Sequence, residues 1–371
     1  MNPLESQLSY PFGDTLPDTG AAQAVAPGLY WLRMPLPFAI NHINLWLLKD
    51  DFAPGARPGV GSAVSSTGMG GGDERRGGWS VIDCGVATDA TRAGWESIFA
   101  SSLDGLPIQR VLATHCHPDH IGLGDWLCER WQAPLWMTTG EYAFARMMSA
   151  ALPGVDGTAA LPHFQRHGLC DPVLLEQMQG RKNYYPTLVP RVPASYTRMQ
   201  DGQSVQIGDH AWRVITGFGH APEHAALYSA ELNVLISGDM VLPRISTNVS
   251  VFAIEPEGNP LQSYLDSLGK FGDLPEDTLV LPSHGKPFRG LHTRIRQLRE
   301  HHVERLAEVM QACTQWQSAA DIVPLMFHRA LDVHQLGFAM GEALAHLHKL
   351  WQDGIVRREI GSEGIIRFRV M

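Results

Sequence analysis

Nine consecutive residues, Thr114 to Gly122, read Thr-His-Cys-His-Pro-Asp-His-Ile-Gly. They place three imidazoles and one carboxylate within six positions, at His115, His117, Asp119 and His120. Nitrogen and oxygen donors at this density are what divalent metal ions bind well in proteins. The five cysteines are scattered and include no CxxC pair, so thiolate ligation is not indicated. The chain must therefore fold so that one short segment presents His and Asp side chains to a metal ion.

Composition limits the class of protein and its partners. The chain has 371 residues, 44% of them hydrophobic, which is enough for a large core and for one or two domains. The first residues lack a signal-peptide pattern and no run reaches the roughly 18 apolar residues of a membrane helix, so we expect a cytoplasmic protein without membrane contact. The net charge of −9 disfavours nucleic acid as a partner. We expect a small-molecule substrate and leave homo-oligomer formation open.

Hydrophobic patterning predicts alternating strands and helices over residues 1–289. Strands are predicted at residues 29–34, 42–48, 79–83, 108–114, 134–137, 204–207, 211–216, 225–228, 233–237 and 278–281. Helices are predicted at residues 88–100, 121–131, 140–150 and 260–270. Residues 49–78 are rich in Gly, Ser and Pro and are predicted to form a flexible loop. Residues 151–199 lack a clear period and are predicted to be an insertion near the site.

Residues 290–371 differ in character, with three predicted helices followed by a hairpin across Gly361 to Gly364. This order predicts a small winged-helix-like domain, a variant of the helix-turn-helix arrangement. The segment carries ten Lys or Arg against nine Asp or Glu. Because this excess is small, we favour packing against the larger domain over nucleic-acid docking.

Four more residues of the types that bind metal ions lie at the ends of predicted strands, each within two positions of a glycine: Asp83, His220, Asp239 and His284. Loops at strand ends can converge in space although they are far apart in sequence. Such a convergence would add ligands to the Thr114 to Gly122 cluster and is what a two-metal site requires.

The motifs THxHxDHxG, GHxPxH, SGD and SHG occur in this order, and together they resemble the metallo-β-lactamase fold superfamily of metal-dependent hydrolases. The resemblance extends from Leu29 to about Arg289 and implies an α/β fold, an αββα sandwich. The tail resembles the winged-helix extension of the lactamase-β-like subfamily, and the metal motifs resemble those of glyoxalase-II-type enzymes.

The resemblance also implies the roles of individual residues. Two divalent metal ions are expected, with zinc favoured and iron or manganese compatible. One ion would be held by His115, His117 and His220, the other by Asp119, His120 and His284, with Asp239 bridging both. Asp83 would orient the ligands rather than bind metal. His224, which flanks a ligand, is expected to pack beside the site in preference to binding metal directly.

The resemblance implies hydrolysis by a hydroxide that bridges the two ions, with Asp119 orienting it, and we expect a small ester, thioester or lactone-like substrate. Arg244 and Asn248 follow Asp239 on the same loop and are candidate substrate contacts. Cys116 is expected to be a packed thiol rather than a nucleophile. Six further histidines lie at no predicted strand end and are expected at the surface or at helix caps: His163, His167, His301, His302, His346 and His348.

Three alternatives stay open at this stage. The two-metal chemistry would equally serve an endoribonuclease or another phosphodiesterase. The chain could also be a winged-helix binding protein with a non-catalytic metal site, although all seven ligand positions are filled. Finally, persulfide dioxygenases resemble this fold and use one iron ion, so the ligand types alone leave redox chemistry open.

Overall fold

Two β-sheets pack face to face and carry the metal-binding motifs at one edge. The computed structural model describes residues 2–51, 77–180 and 184–371. The first sheet contains seven strands in chain order: β1 (Gln23–Ala26), β2 (Leu29–Pro35), β3 (His42–Asp50), β4 (Gly78–Ile82), β5 (Ile108–Leu112), β6 (Leu135–Met137) and β7 (Thr197–Arg198). Strands β1 to β4 pair antiparallel, and β4 to β7 pair parallel.

The second sheet contains five strands: β8 (Ser204–Ile207), β9 (His210–Gly217), β10 (His224–Ser229), β11 (Val234–Gly238) and β12 (Leu279–Pro282). Strands β8 to β11 pair antiparallel, whereas β11 and β12 run parallel. The carboxyl ends of parallel strands lie at the same edge of a sheet, so the loops after β11 and β12 leave from neighbouring positions.

Helices cover the outer faces of both sheets. They are α1 (Asp89–Ser101), α2 (Pro118–Ile121), α3 (Gly124–Trp131), α4 (Thr139–Ser149), α5 (Ala160–Arg166), α6 (Pro172–Gln179), α7 (Tyr184–Leu188), α8 (Pro260–Gly269), α9 (Leu291–Ala312), α10 (Ala319–Met326) and α11 (Val333–Gln352). A final hairpin joins β13 (Val356–Ile360) to β14 (Ile366–Val370). Among the described residues, no helix is both long and apolar enough to cross a lipid bilayer.

Three apolar layers hold this arrangement together. Side chains of the facing strands, among them Trp31, Trp46 and Trp212, fill the space between the sheets. A second layer lies between the first sheet and its helices, and a third lies between the second sheet and the helices near the C-terminus. The order helix, sheet, sheet, helix confirms the predicted αββα sandwich with a small C-terminal domain.

The C-terminal helices share their apolar layer with the larger domain. Ala343 of α11 and Phe368 of β14 belong to the same cluster of buried side chains as Ile215 and Val280 of the second sheet. The three helices and the hairpin occur in the predicted order, and α10 and α11 each begin with a capping box. The division of the chain after residue 289 stays a prediction, because this core is continuous.

Local predictions differ from the structure at three places. The insertion 151–199 contains the short helices α5, α6 and α7 and the strand β7. Each of these elements has too few residues for a periodic pattern of apolar side chains to be recognised in the sequence. Of the predicted loop 49–78, Lys49 and Asp50 extend β3 and Gly78 begins β4, since these residues pair across the two strands. Residues 52–76 of that loop lie outside the described residues.

The predicted helix 121–131 is interrupted at Gly122, which separates α2 from α3. A Cβ atom at Gly122 would lie 2.5 Å from the carbonyl oxygen of Pro118 and 2.7 Å from that of Gly85. Only glycine permits this approach, which places α2 directly against the loop after β4.

Candidate metal centre

Loops from both sheets bring the seven predicted ligands together at one edge of the sandwich. The loop after β5 carries His115 and His117, and α2 begins at Pro118, so that Asp119 and His120 lie on its first turn. The remaining residues lie on the loop between β9 and β10, directly after β11 and directly after β12: His220, Asp239 and His284. They form two groups, in each of which all the ligand atoms lie within 4.8 Å of one another.

The first group contains three histidines and Asp239. Nε2 of His115 lies 2.9 Å from Nδ1 of His117 and 3.2 Å from Nε2 of His220. Nε2 of His220 lies 3.3 Å from Oδ2 of Asp239. Ligand atoms on a tetrahedral zinc ion are about 3.3 Å apart when each bond is about 2.0 Å long. The spacing in this group is therefore close to that of a ligand set.

The second group contains Asp119, His120 and His284. Oδ2 of Asp119 lies 3.4 Å from Nε2 of His284 and 3.7 Å from Nε2 of His120. The second carboxylate oxygen of Asp239, Oδ1, lies 3.6 Å from Nε2 of both histidines. One oxygen of Asp239 thus faces each group, which is the geometry expected of a bridging ligand.

Two buried atoms at the centre lack hydrogen-bond partners among the described residues: Nε2 of His120 and Oδ1 of Asp239. A buried polar atom without a partner costs about 1–3 kcal/mol, and native structures contain few of them. A bound cation would satisfy both atoms at once. The donor types, their spacing and these two atoms all fit divalent metal ions.

Asp83 holds the ring of His120 from behind. Its Oδ2 accepts a hydrogen bond from Nδ1 of His120 at 2.8 Å, and its Oδ1 accepts one from the backbone N–H of Thr114, also at 2.8 Å. The residue is fully buried and has a φ of +62°, a left-handed backbone that aspartate tolerates better than most residues. With its proton on Nδ1, His120 presents the Nε2 lone pair to the centre, which is the orienting role expected of Asp83.

Backbone carbonyls orient two further rings. Nδ1 of His220 donates to the carbonyl oxygen of Asn248 at 2.8 Å, and Nδ1 of His284 donates to that of His42 at 2.9 Å. His224 is buried beside the centre, and its Nε2 accepts the backbone N–H of Asp239 at 3.1 Å. His224 therefore contacts the backbone of the bridging residue and belongs to neither group.

Glu141 is a structural contributor that sequence reasoning missed. Its buried carboxylate accepts the backbone N–H of Cys116 at 2.8 Å and that of Glu223 at 2.6 Å. It therefore ties the loop after β5 to the loop that carries His220. On the opposite side, the hydroxyl of Tyr185 donates to the carbonyl oxygen of Cys116. Only the tertiary fold reveals this link, because Glu141 lies in the first turn of α4 and in no motif.

Burial and neighbouring charges set the protonation of the centre. Burial lowers the pKa of His117 to about 3, with a further contribution from His220, and it lowers the pKa of His115 well below its usual value. Burial opposes the shift at Asp119, but His120 and His284 lower the pKa of this carboxyl to about 2. Neutral imidazoles at His115 and His117 and an ionised carboxylate at Asp119 are the forms that bind metal ions. Burial is outweighed at His120, where Asp83, Asp119 and Asp239 raise the pKa well above its usual value, so a metal ion bound there would displace a proton.

The two candidate substrate contacts both engage protein groups. Nε of Arg244 pairs with Glu5 at 3.0 Å, and the side chain is 47% exposed. The Asn248 side chain accepts a hydrogen bond from Ser250 Oγ at 2.8 Å and donates to Glu342 at 3.4 Å. Substrate contact by either residue stays a prediction. Asn248 supports His220 through its backbone carbonyl. The sequence could not reveal this contact, because every residue type has a backbone carbonyl.

Two predictions about other side chains have clear outcomes. Cys116 is fully buried and packs in the apolar layer under the first sheet, so it is a packed thiol. Five of the six histidines expected at the surface or at helix caps are at most 8% exposed: His163, His167, His302, His346 and His348. His167 does cap α5 at its C-terminus, so the expectation is wrong for the other four. These five lie where helices pack together, a location that sequence position alone does not reveal.

Comparison with known proteins agrees with this fold. The profile described as "Metallo-beta-lactamase superfamily" matches residues 74–284, more than half of the chain. The profile "Metallo-beta-lactamase-like, C-terminal domain" matches residues 306–371. The chain therefore belongs to the metallo-beta-lactamase superfamily and is a metallo-hydrolase of that class.

Alignments with individual relatives cover most or all of the chain. A beta-lactamase domain protein from Burkholderia ambifaria is 54% identical with a TM-score of 0.90, and the alignment covers 100% of both chains. A metallo-beta-lactamase family protein from Thermus thermophilus is 28% identical with a TM-score of 0.72, covering 94% of this chain and 100% of that one. The probable metallo-hydrolase YqjP of Bacillus subtilis (strain 168) is 22% identical over 345 residues, which are 86% of this chain and 91% of the relative.

Proposed function

We propose that this protein hydrolyses small esters, thioesters or lactone-like acyl compounds with the help of two divalent metal ions, zinc being favoured. The observation that carries the proposal is the position of Asp239, whose two carboxylate oxygens face different groups of ligand atoms. His115, His117 and His220 would hold one ion, and Asp119, His120 and His284 the other. When bound, two such ions lower the pKa of a coordinated water and polarise the carbonyl that is attacked.

The residues around the centre prepare it for this chemistry. The Asp119 side chain is 16% exposed, against 9% for Asp239 and 8% for His284, so it is the carboxylate most open to an arriving substrate. Its pKa of about 2 means that the carboxylate is ionised at neutral pH, despite its burial, and can orient a water molecule by accepting a hydrogen bond. Asp83 and the carbonyls of His42 and Asn248 hold the imidazoles in one tautomer.

Two features of the C-terminal helices support a small substrate rather than a nucleic acid. A winged helix inserts its third helix into a nucleic-acid groove, but the third helix here, α11, has eleven buried residues and packs against the larger domain. Three arginines of the hairpin are already paired with carboxylates: Arg357 with Glu359, Arg358 with Glu257 and Arg367 with Glu363. These three side chains therefore have little unpaired positive charge with which to bind the phosphates of a nucleic acid.

A substrate panel tests the proposal. The metal-loaded protein is assayed with acyl esters, thioesters, lactones and single-stranded RNA, and compared with Asp119→Ala. The matched control is Asp125→Ala, which removes an aspartate of α3 that pairs with Arg191 at 2.8 Å. We expect acyl hydrolysis by the wild type and the control, and a loss of about 10²–10⁴-fold in Asp119→Ala.

Each other outcome contradicts a defined part of the proposal. Cleavage of RNA without acyl hydrolysis would overturn the substrate class and favour the phosphodiesterase alternative. Acyl hydrolysis that survives Asp119→Ala undiminished would show that the proposed centre is not the catalyst. A metal-loaded protein inactive on the whole panel would favour the non-catalytic alternative.

A further inference from the structure

The connection between β11 and α8, residues 239–259, contacts the metal centre at two points. The carbonyl oxygen of Asn248 accepts the hydrogen bond of His220 Nδ1 at 2.8 Å. The hydroxyl of Thr247 donates to the carbonyl oxygen of Asp239 at 2.5 Å. Thr247 is 1% exposed, so this part of the connection is deeply buried. Its position therefore sets the orientation of one histidine and of the backbone at the bridging aspartate.

Helix α11 of the C-terminal segment holds this part of the connection. The backbone N–H of Val251 donates to the carbonyl oxygen of Gly341 at 3.1 Å. One residue further along α11, Glu342 accepts the hydrogen bond of the Asn248 side chain at 3.4 Å. The same Asn248 thus contacts α11 with its side chain and the metal centre with its carbonyl.

The contact continues towards the end of the helix. Nδ1 of His348 donates to the carbonyl oxygen of Gly258 at 3.0 Å, and Nε2 of Gln352 donates to that of Glu257 at 2.8 Å. Four hydrogen bonds with residues of α11 therefore hold the part of the connection that extends from Asn248 to Gly258. A segment without regular secondary structure gains a defined position in this way.

Gly341 is the point of closest approach. A Cβ atom at this position would lie 2.6 Å from Cβ of Ser250 and 2.7 Å from its Oγ. Ser250 in turn donates its hydroxyl hydrogen bond to the Asn248 side chain at 2.8 Å. A side chain at position 341 must displace Ser250, and with it Asn248. Gly337, one turn earlier on the same helix, has nothing within 4 Å of the corresponding Cβ position.

We propose that α11 is a positioning element of the metal centre: the close packing of Gly341 on Ser250 sets the place of Asn248, whose carbonyl orients His220. The inference rests on the proposed function, since it needs His220 to bind a metal ion. It makes the C-terminal segment a working part of the hydrolase rather than a separate binding module. Metal affinity and the packing of α11 are then coupled.

Two alanine variants test the inference with a built-in control. Gly341→Ala and Gly337→Ala make the same chemical change on the same helix, but only the first meets a neighbour. Metal affinity is measured by competition with a chromophoric chelator, and the Co²⁺-substituted protein is examined by its visible absorption spectrum. Loss of an orienting contact typically weakens metal binding about 10–100-fold. We expect such a loss for one ion and a changed Co²⁺ spectrum in Gly341→Ala, and wild-type behaviour in Gly337→Ala.

A second variant separates positioning from general damage. Adding Ser250→Gly to Gly341→Ala removes the atoms that the new methyl group would meet, but it also removes the hydroxyl that donates to Asn248 at 2.8 Å, so affinity should recover in part and not fully. If Gly341→Ala does not fold, Glu342→Ala removes the acceptor of Asn248 without a new contact, and we expect a weakening of several-fold.

The outcomes distinguish this inference from the proposed function. Folded Gly341→Ala, or Glu342→Ala in its place, that binds both ions as tightly as the wild type would overturn the inference alone. Equal losses in Gly341→Ala and Gly337→Ala would overturn it too, because the effect would not depend on the contact with Ser250. A wild-type protein that binds no divalent ion would overturn the proposed function itself.

Discussion

Replacing Asp83 by asparagine should weaken metal binding through the tautomer of one histidine. The amide oxygen of the new side chain can still accept the hydrogen bond of the Thr114 N–H, which in the wild type goes to Oδ1 at 2.8 Å. The amide NH₂ then occupies the place of Oδ2, which lies 2.8 Å from Nδ1 of His120. Two donors would face each other there. His120 avoids this by moving its proton to Nε2, the atom that faces the metal centre.

The expected magnitude follows from this change. Loss of the partner that orients a metal-bound histidine typically costs about 10–100-fold in affinity, which corresponds to about 1.4–2.7 kcal/mol. The buried hydrogen bond between Asp83 and His120 is charge-assisted, and its loss should lower the free energy of unfolding by about 1.5–3 kcal/mol. Both effects should appear in the same variant.

Metal affinity is measured by chelator competition at room temperature, and stability by urea unfolding of the metal-free protein. Asp50→Asn is the matched control, since Asp50 is buried, accepts a hydrogen bond from Arg110 at 2.7 Å and contacts neither group of ligands. Breaking that pair should cost about 3–5 kcal/mol of stability and leave metal affinity unchanged. Wild-type affinity in Asp83→Asn, or an equal loss in both variants, would refute the reasoning.

Three further predictions concern stability. Removing the metal ions with a chelator should lower the melting temperature, since ligand at about a thousandfold excess over its dissociation constant stabilises by about 4 kcal/mol per site; an unchanged melting curve would contradict metal binding. Glu141→Ala leaves the buried N–H of Cys116 and the partly buried N–H of Glu223 without this partner and should cost about 2–4 kcal/mol in urea unfolding. Glu96→Ala breaks an exposed pair and should cost under about 1 kcal/mol; equal costs would contradict the role given to Glu141. Burial raises the pKa of Glu342 from 4.5 to about 7, so its ionisation opposes folding as the pH rises through this range. Glu342→Gln should therefore gain stability relative to the wild type between about pH 5 and pH 8, by about 1–2 kcal/mol because the side chain is partly exposed, and a difference independent of pH would show that the carboxyl is not perturbed.

The strands and the chemistry at their ends could be predicted well from the sequence. Long apolar runs predict buried strands, and a His or Asp beside a glycine at a strand end predicts a loop with a functional side chain. These signals predict that His220, Asp239 and His284 lie near the His115 to His120 cluster, and the structure brings them together. Their role as ligands stays a prediction that the geometry supports.

The supporting interactions could not be predicted, for physical reasons. Asn248 and His42 act through backbone carbonyls, which every residue has. Glu141 is buried by tertiary packing in a helix whose sequence is ordinary. The short helices of residues 151–199 owe their stability to packing, since isolated helices of this length are marginal. Sequence pattern therefore identified the donors, and the fold revealed what holds them.

Metal stoichiometry of three purified proteins tests the central claim most directly. Wild type, His117→Ala and His284→Ala are purified without added metal, dialysed against metal-free buffer, and analysed by plasma mass spectrometry and amino-acid analysis. Each variant removes one ligand from a different group. The two-metal account predicts about two ions per chain in the wild type and about one in each variant. One ion or none in the wild type, or two ions retained in both variants, would contradict it.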